Sequence, residues 1–239
     1  MECVQKSLNK QMERSPFISR DLNSKINFSL DKAEKIQRLL SKRIIAQDYL
    51  PRKIRYVAGV DVSYSNKHSF GAVVVLEYPS MKLVEQETSS QRISIPYIPT
   101  FLAFREIPAA VAAARKIKTR PDIFLVDGHG RAHPRRFGLA CHFGLSMKTP
   151  TIGVAKNILC GDVKDFRGIW RPIIDEGEVI GAEVFTKAGK KPVYVSVGHM
   201  ISLETSIRVV LECAKKYRIP EPIRQAHIIA ERVKRSAIN

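Results

Sequence analysis

Three segments in the first half of the chain are rich in β-branched and aromatic residues and are separated by turn-forming residues. They span Tyr56–Tyr64, Ser69–Tyr78 and Lys82–Ile95, and their length and composition predict three successive β-strands. The short connections Ser65–Lys67 and Pro79–Ser80 join them. Because connections this short link strands that run in opposite directions, we predict an antiparallel three-stranded unit.

The second half of the chain alternates strand-like and helical segments. Apolar residues are nearly continuous in Asp122–Asp127 and Thr151–Val154, and a helical pattern over Phe137–Met147 lies between them. Two buried strands connected through a helix predict parallel neighbours. Two further strands are predicted near Val179–Phe185 and Pro192–Val197.

Helices are predicted around these strands. The first begins at Ser29 and runs to about Gln47, and we expect its apolar stripe to be a packing face formed by Ile36, Leu39, Leu40 and Ile44. The other predicted helices cover about Ala109–Lys118 (with a start as early as Phe101), Ser202–Lys216 and the segment after Pro220–Pro222.

The order of elements indicates the fold class. Three antiparallel strands followed by parallel strands with helices is the order of a ribonuclease-H-like α/β fold, a mixed sheet flanked by helices. Residues 1–28 are polar and weakly patterned, so we expect an N-terminal extension that is partly disordered. Residues 29–239 are long enough to form one domain with its own core.

Charge is the strongest deviation in composition. The chain has 40 Lys and Arg against 23 Asp and Glu, a net charge of +17, and such a basic surface favours nucleic acid as the partner. No apolar run approaches the length of a membrane span, and the N-terminus lacks the pattern of a signal peptide. The four cysteines, Cys3, Cys141, Cys160 and Cys213, form no Cys-x-x-Cys pair. We therefore expect a cytoplasmic protein with free thiols and no membrane contact.

Three carboxylates stand out against this basic background. Asp61, Glu106 and Asp127 each lie at the end of an apolar segment. One such acid alone is more often a turn or capping residue. Three of them, accompanied by glycine- and histidine-containing loops, favour a shared site in which carboxylate oxygens hold Mg²⁺ and basic residues hold phosphates.

Four further motifs carry candidate chemistry. Asp127–Gly130 follows a buried strand, and its two glycines allow a sharp turn and close approach of a ligand. His133–Arg136 opens a helix, where backbone amides and arginine suit a phosphate. Lys156 and His199 each follow or end a strand, where a solvated charge or a capping role is the ordinary alternative. The stiff loop Pro96–Pro99 presents an aromatic residue that could insert between bases.

Together these motifs resemble the endonuclease V family. The segments that carry the resemblance are Val60–Ser63, Pro96–Pro99, Phe104–Glu106, Val126–Gly130, His133–Arg135, Pro150–Lys156 and Gly198–Ser202. Each motif is weak alone, but seven in the same order are specific, and the resemblance covers about Leu30–Ile223. Thr100 stands where we expect glycine in many members, and we expect this difference to alter the loop Pro96–Pro99 slightly.

The resemblance implies roles for individual residues. Asp61 and Asp127 match direct Mg²⁺ ligands, with Mn²⁺ able to substitute, and Glu106 matches a third acid that acts directly or through water. Lys156 and His199 match groups around the attacking water and the leaving oxygen. Supporting positions of the site are matched by Asp122 and His133. The residues that match a wedge between bases are Pro96, Tyr97, Ile98 and Pro99, and those that match a pocket for a flipped base are Leu102, Gly128 and Gly138.

The implied activity is Mg²⁺-dependent cleavage of the second phosphodiester bond 3′ to deoxyinosine, leaving 3′-OH and 5′-phosphate ends, in DNA repair. The implied partner is inosine-containing DNA bound by a monomer, and the residues leave open whether RNA is a substrate. Three alternatives stay open on the sequence: another ribonuclease-H-like nuclease, an inosine-specific endoribonuclease, or a non-catalytic nucleic-acid-binding module.

Overall fold

The computed structural model describes residues 28–165, 168–214 and 216–237. Within them the chain forms nine strands: β1 (Tyr56–Tyr64), β2 (His68–Glu77), β3 (Leu83–Arg92), β4 (Ile123–Asp127), β5 (Thr151–Ala155), β6 (Asp162–Val163), β7 (Trp170–Asp175), β8 (Glu178–Val184) and β9 (Val193–His199). The helices of the same residues are α1 (Leu30–Ser41), α2 (Leu102–Ala114), α3 (Leu139–Met147), α4 (Leu203–Cys213) and α5 (Glu221–Ser236). The extension expected for residues 1–28 lies outside the described residues except for Phe28.

All nine strands belong to one sheet, in the order β3-β2-β1-β4-β5-β9-β8-β7-β6. The pairs β1/β4 and β4/β5 are parallel, and the other neighbouring strands are antiparallel. The predicted mixed sheet flanked by helices is therefore confirmed. The short strands β6 and β7 were not predicted, because β7 contains a proline and fully buries only Ile173.

The two faces of the sheet carry different helices. Val57 and Leu125 point into a core shared with α4 and α5, whereas Val60 and Val126 point into a core shared with α2 and α3. Because β1, β4 and β5 are buried on both faces, nearly every position in them is apolar, as parallel strands require. No helix of the described residues is long and apolar enough to cross a membrane.

Two glycines set how closely the helices approach the sheet. A Cβ on Gly59 in β1 would overlap the carbonyl of Pro222 in α5, and a Cβ on Gly71 in β2 would overlap the carbonyl of Ala109 in α2. A glycine at each point lets a helix backbone rest directly on a strand. The positions of α2 and α5, and of every side chain they carry, therefore depend on these two contacts.

Helix α1 corrects one expectation. Its buried residues are Ala33 and Gln37, while Ile36 and Leu39 are 43% and 65% exposed. The helix also ends at Ser41 rather than near Gln47. The packing face differs because the Gln37 amide donates hydrogen bonds to the carbonyls of Thr100 and Phe137, which turns a polar side of the helix inward.

The contact at Gly59 yields a stability prediction. We expect Gly59→Ala to lower the free energy of unfolding by about 3 kcal/mol, because the new methyl group must push α5 away from β1. Gly177→Ala is the matched control: its Cβ meets no atom within 4 Å, but φ is +79°, so the cost is about 1 kcal/mol of backbone strain. Urea unfolding of both variants measures the difference. An equal or larger loss for Gly177→Ala would show that α5 adjusts freely.

Candidate metal centre

Two acids meet where neighbouring parallel strands reach the same edge of the sheet. Val60 in β1 pairs with Val126 in β4, so the next residues, Asp61 and Asp127, lie side by side. Both side chains are largely buried, with relative exposures of 10% and 13%. Burial and the nearby charge of Asp127 raise the pKa of Asp61 above its ordinary value.

A histidine from the last helix joins these acids. His227 Nδ1 lies 2.8 Å from Asp61 Oδ2, and the ligand atoms that Asp61, Asp127 and His227 offer all lie within 4.8 Å of one another. His227 was not predicted from the sequence, because it lies within an amphipathic helix, carries no motif and is 100 residues from Asp127. The only indication in the sequence was the position of this histidine on the polar face of the helix.

Glu106 approaches from the opposite face of the sheet, on α2. It is buried and accepts a hydrogen bond from the Tyr64 hydroxyl, and the Arg105 guanidinium lies 4.5 Å from the centre of the Tyr64 ring. Burial raises the pKa of Glu106 to about 8, and the charges of Asp61 and Asp127 add to the shift, against a lowering by the Tyr64 hydrogen bond. The Tyr64 hydroxyl thus holds Glu106 at the rim of the acidic cluster.

Lys156 completes the charge balance. It follows the last residue of β5, and its Nζ lies 2.6 Å from Asp127 Oδ2. The structure therefore brings together Asp61, Asp127 and Lys156 from three adjacent strands, with Glu106 at the rim. Hard carboxylate oxygens on neighbouring strands are the donor set that suits Mg²⁺ or Mn²⁺.

Two of the candidate residues lie at the other end of the sheet. His199 pairs with Thr151, the first residue of β5, and its Nδ1 accepts a hydrogen bond from the backbone of Ile45. Asp122 precedes β4, about 16 Å along the strand from Asp127, and its carboxylate accepts from the backbone amides of Arg55 and Tyr56. The structure does not bring either residue to the acids, and both hold local backbone instead.

His133 belongs to a buried polar cluster around Thr100. Burial lowers the pKa of His133 to about 3, so the ring is neutral. Its Nε2 lies 2.9 Å from the Thr100 carbonyl, and its Nδ1 accepts from the amide of Arg135. Gln37 and Arg135 also donate to that carbonyl, and Arg135 donates to the Thr100 hydroxyl at 2.6 Å.

The same cluster supports the unusual backbone conformation of Thr100. Its φ is +66°, a conformation that favours glycine and is costly for a β-branched residue. Hydrogen bonds to its carbonyl and hydroxyl offset that strain. The loop Pro96–Pro99 is consequently anchored three residues after Tyr97, whose side chain is 59% exposed.

The candidate pocket residues lie in the loops beside this cluster. Gly128 follows β4 and Gly138 precedes α3, and the Gly138 amide donates to the carbonyl of Gly130. A Cβ on Gly138 would overlap the carbonyls of His129 and Gly130. Leu102, at the start of α2, follows Thr100 by two residues. The Gly128 amide, in turn, donates to the carbonyl of Val154, so both glycine amides already have partners within the chain.

Comparison with known proteins identifies relatives over most of the chain. The family model described as Endonuclease V matches residues 38–228. Endonuclease V of Trichormus variabilis is 48% identical over 207 residues, covering 84% of this chain and 94% of the relative. The crystal structure of Endonuclease V from Streptomyces avermitilis has a TM-score of 0.83 at 37% identity, covering 88% of this chain and 95% of that one.

A further relative was solved with nucleic acid. Ciona intestinalis Endonuclease V, in complex with a 24mer DNA that contains an inosine followed by a ribo-adenosine, has a TM-score of 0.79 at 35% identity. It covers 87% of this chain and 98% of the relative. Fold and sequence are thus similar to a protein that holds an inosine-containing strand.

The position of the histidines yields a metal-binding prediction. We expect His227→Ala to weaken Mn²⁺ binding to the free protein by about 10-fold or more, because the Asp61 carboxylate loses the side chain that positions it. His199→Ala is the matched control, and it should leave Mn²⁺ affinity within about twofold while lowering the melting temperature. Calorimetric titration with Mn²⁺ measures both. The opposite pattern would place the metal at the His199 end of the sheet.

The raised pKa of Glu106 yields a pH prediction. Its folded-state pKa of about 8 lies above the ordinary value of a glutamic acid, 4.5. Between these two pH values the metal-free folded state therefore binds more protons than the unfolded state. Stability of the metal-free protein should therefore fall as pH rises from about 5 to 8. Glu106→Gln should flatten that slope. Glu85→Gln, which changes a half-buried acid of β3 away from the site, should not. Urea unfolding across this pH range in chelator decides, and an unchanged slope in Glu106→Gln would contradict the assignment.

Proposed function

The chain belongs to the endonuclease V family, and from this premise we propose that it nicks DNA at the second phosphodiester bond 3′ to deoxyinosine. Its relatives are nucleases, so the chain is a hydrolase that acts on phosphodiester bonds. The observation that carries the proposal is the meeting of Asp61, Asp127 and His227 beside Lys156. The proposed cofactor is Mg²⁺, and the products are 3′-OH and 5′-phosphate ends.

The acidic cluster fits a divalent cation. Asp61 and Asp127 would hold it, with Glu106 as a third acid that binds directly or through water. When bound, Mg²⁺ polarises the scissile phosphate and helps to ionise the attacking water. Lys156, already beside Asp127, stabilises the negative charge that develops on the phosphate oxygens. We propose that His227, whose side chain is 51% exposed, carries a proton to or from a reacting oxygen.

Recognition of the base needs polar groups that adenine cannot satisfy. Hypoxanthine presents an O6 acceptor and an N1–H donor where adenine presents the reverse pair. We propose that backbone groups around Leu102, Gly128 and Gly138 supply a matching N–H and C=O, apart from the Gly128 and Gly138 amides, which donate to Val154 and Gly130. A wrong base would leave these groups buried without partners. No base is excised, so the site requires no glycosylase nucleophile.

Tyr97 is proposed to fill the gap that the flipped base leaves. The anchoring of Thr100 by Gln37, His133 and Arg135 supports this role, because a wedge acts only if its loop resists displacement. In this proposal His133 contributes through the loop and not through contact with the metal. Asp122 and His199 contribute through the stability of the strand ends.

One assay tests the proposal. Matched duplexes and single strands carrying inosine or adenine, as DNA and as RNA, are incubated with Mg²⁺, and the cut bond is mapped at nucleotide resolution. We expect a nick one bond beyond the nearest 3′ linkage, only with inosine, and none from Asp61→Ala or Asp127→Ala. Cleavage confined to RNA would establish an inosine endoribonuclease instead. Equal cleavage of adenine strands or of RNA–DNA hybrids would establish a different ribonuclease-H-like nuclease.

The exposed loop Pro96–Pro99 yields a prediction about how the protein distinguishes inosine-containing from undamaged duplexes. We expect Tyr97→Ala to reduce affinity for inosine duplexes about 10-fold more than affinity for undamaged duplexes, because unstacking costs a few kcal/mol that the wedge partly offsets. The loss should be smaller on single strands. Tyr49→Ala is the matched control, since Tyr49 is 56% exposed and its backbone bonds Met200 at the other end of the sheet. Equal losses on both duplexes would make Tyr97 a packing residue.

A further inference from the structure

The last two turns of α5 lie beyond the residues that the family model matches, which end at residue 228. A cavity of about 400 Å³ lies against this part of the helix. The described residues that line it define what we call the α5 groove: His227, Ile228, Glu231, Arg232, Arg235 and Ser236. Because His227 belongs to the metal cluster, the groove opens directly from the proposed cutting site.

The acid in the groove is already neutralised. Glu231 accepts a hydrogen bond from the Ser63 hydroxyl at 2.7 Å and pairs with Lys234 at 2.9 Å, and these contacts, Lys234 foremost, lower its pKa. Among the described residues, the exposed guanidinium groups of Arg232 and Arg235 make no hydrogen bond or ion pair with a carboxylate. The groove therefore presents two positive charges that nothing in the described chain balances.

The spacing of these charges fits a nucleic-acid backbone. His227, Glu231 and Arg235 follow one another at intervals of four residues, and Ile228 and Arg232 form the neighbouring row. Along the helix axis Arg232 and Arg235 lie about 7.5 and 12 Å beyond His227. Phosphates of one strand in a duplex advance about 3.4 Å each, so the two arginines reach about two to four phosphates past the site.

The ordinary explanation for basic residues here is the helix dipole. Cations in the last turn of a helix gain about 0.3–1 kcal/mol, and that accounts for the presence of Lys234 and Arg235. It does not account for Arg232, one turn earlier, nor for the presence of both arginines in one groove with the metal-site histidine. Ile228, 41% exposed in the same groove, adds an apolar contact suited to a sugar or base.

We propose that the α5 groove binds backbone phosphates of the substrate strand on one side of the cut bond, an inference that rests on the proposed nuclease function. The groove thus continues from the metal centre and provides a surface along which the substrate strand binds. Its chemistry is that of phosphate positioning by arginine, which adds affinity without reading sequence. The base pocket and wedge then supply the selectivity for inosine, and the groove fixes where the strand runs as it leaves the acids.

The first experiment removes the two charges. Fluorescence anisotropy with inosine single strands and duplexes, in chelator, compares the wild type with Arg232→Ala/Arg235→Ala across a salt series. We expect about a 10-fold loss of affinity near 0.1 M salt and a log–log salt slope reduced by about 2. Arg232→Lys/Arg235→Lys should recover most of the slope, and the melting temperature of each variant reports its folding.

The matched control removes the same charge elsewhere. Lys118 and Arg120 are exposed and lie beside Asp122, at the end of the sheet opposite the acids. Lys118→Ala/Arg120→Ala should keep wild-type affinity within about twofold and keep nicking activity. An equal loss in this control would overturn the proposal, because net charge alone would then explain the effect. An unchanged salt slope in Arg232→Ala/Arg235→Ala would overturn it as well.

The second experiment locates the strand. Substrates are shortened to two nucleotides on the 5′ side or on the 3′ side of the cut bond. If the groove binds one side, the difference between the wild type and Arg232→Ala/Arg235→Ala disappears with one truncation and persists with the other. A difference that survives both truncations would overturn the proposal.

The experiments distinguish a failure of the phosphate-binding proposal for the α5 groove from a failure of the proposed nuclease function. The groove is measured by binding, including binding to undamaged single strands, whereas the function is measured by mapped nicking of inosine strands. A wild type that binds through Arg232 and Arg235 but never nicks at inosine would refute only the function. Nicking at inosine with no contribution from either arginine would refute only the groove.

Discussion

The structure depends on holding three carboxylates together at one edge of a sheet. Like charges in a partly buried site repel one another, and burial itself disfavours ionised acids. Each acid therefore has its own neighbour from a different element: Lys156 beside Asp127, His227 beside Asp61, and the Tyr64 hydroxyl on Glu106. The arrangement is stable only if all these elements are placed correctly, and it leaves an acidic cluster ready for a divalent cation within a basic protein.

Close backbone packing delivers those elements. Helix α5 rests on β1 at Gly59 and α2 rests on β2 at Gly71, so the two helices carry His227 and Glu106 to the site from opposite faces of the sheet. Any side chain at either glycine would move a helix and with it a functional residue. The packing of the helices and the geometry of the site thus depend on the same two backbone contacts, at Gly59 and Gly71. A substitution that destabilises the protein at either glycine would therefore also change the site.

The two ends of the sheet have different tasks. At the end with the acids, polar side chains face one another, and the nearby loop is anchored through Thr100 in a conformation unusual for its type. At the other end, Asp122 and His199 bond backbone amides of the segment that enters β1 and of the segment after α1. Whether an aspartate or a histidine serves structure or function therefore depends on which end of the sheet it occupies.

The sequence by itself determined seven of the nine strands that the described residues form, the mixed sheet and the acids at strand ends, because periodicity and strand-end position are local properties of the chain. Only the tertiary structure decided which residues meet. His227 enters through the docking of α5, 166 residues from Asp61, and a helix without a motif gives no local sign of its partner. His199 and Asp122 fall at the far edge because strand direction is set by long-range pairing. Gln37 turns inward because the carbonyls it bonds belong to distant loops, which no local pattern of apolar residues records.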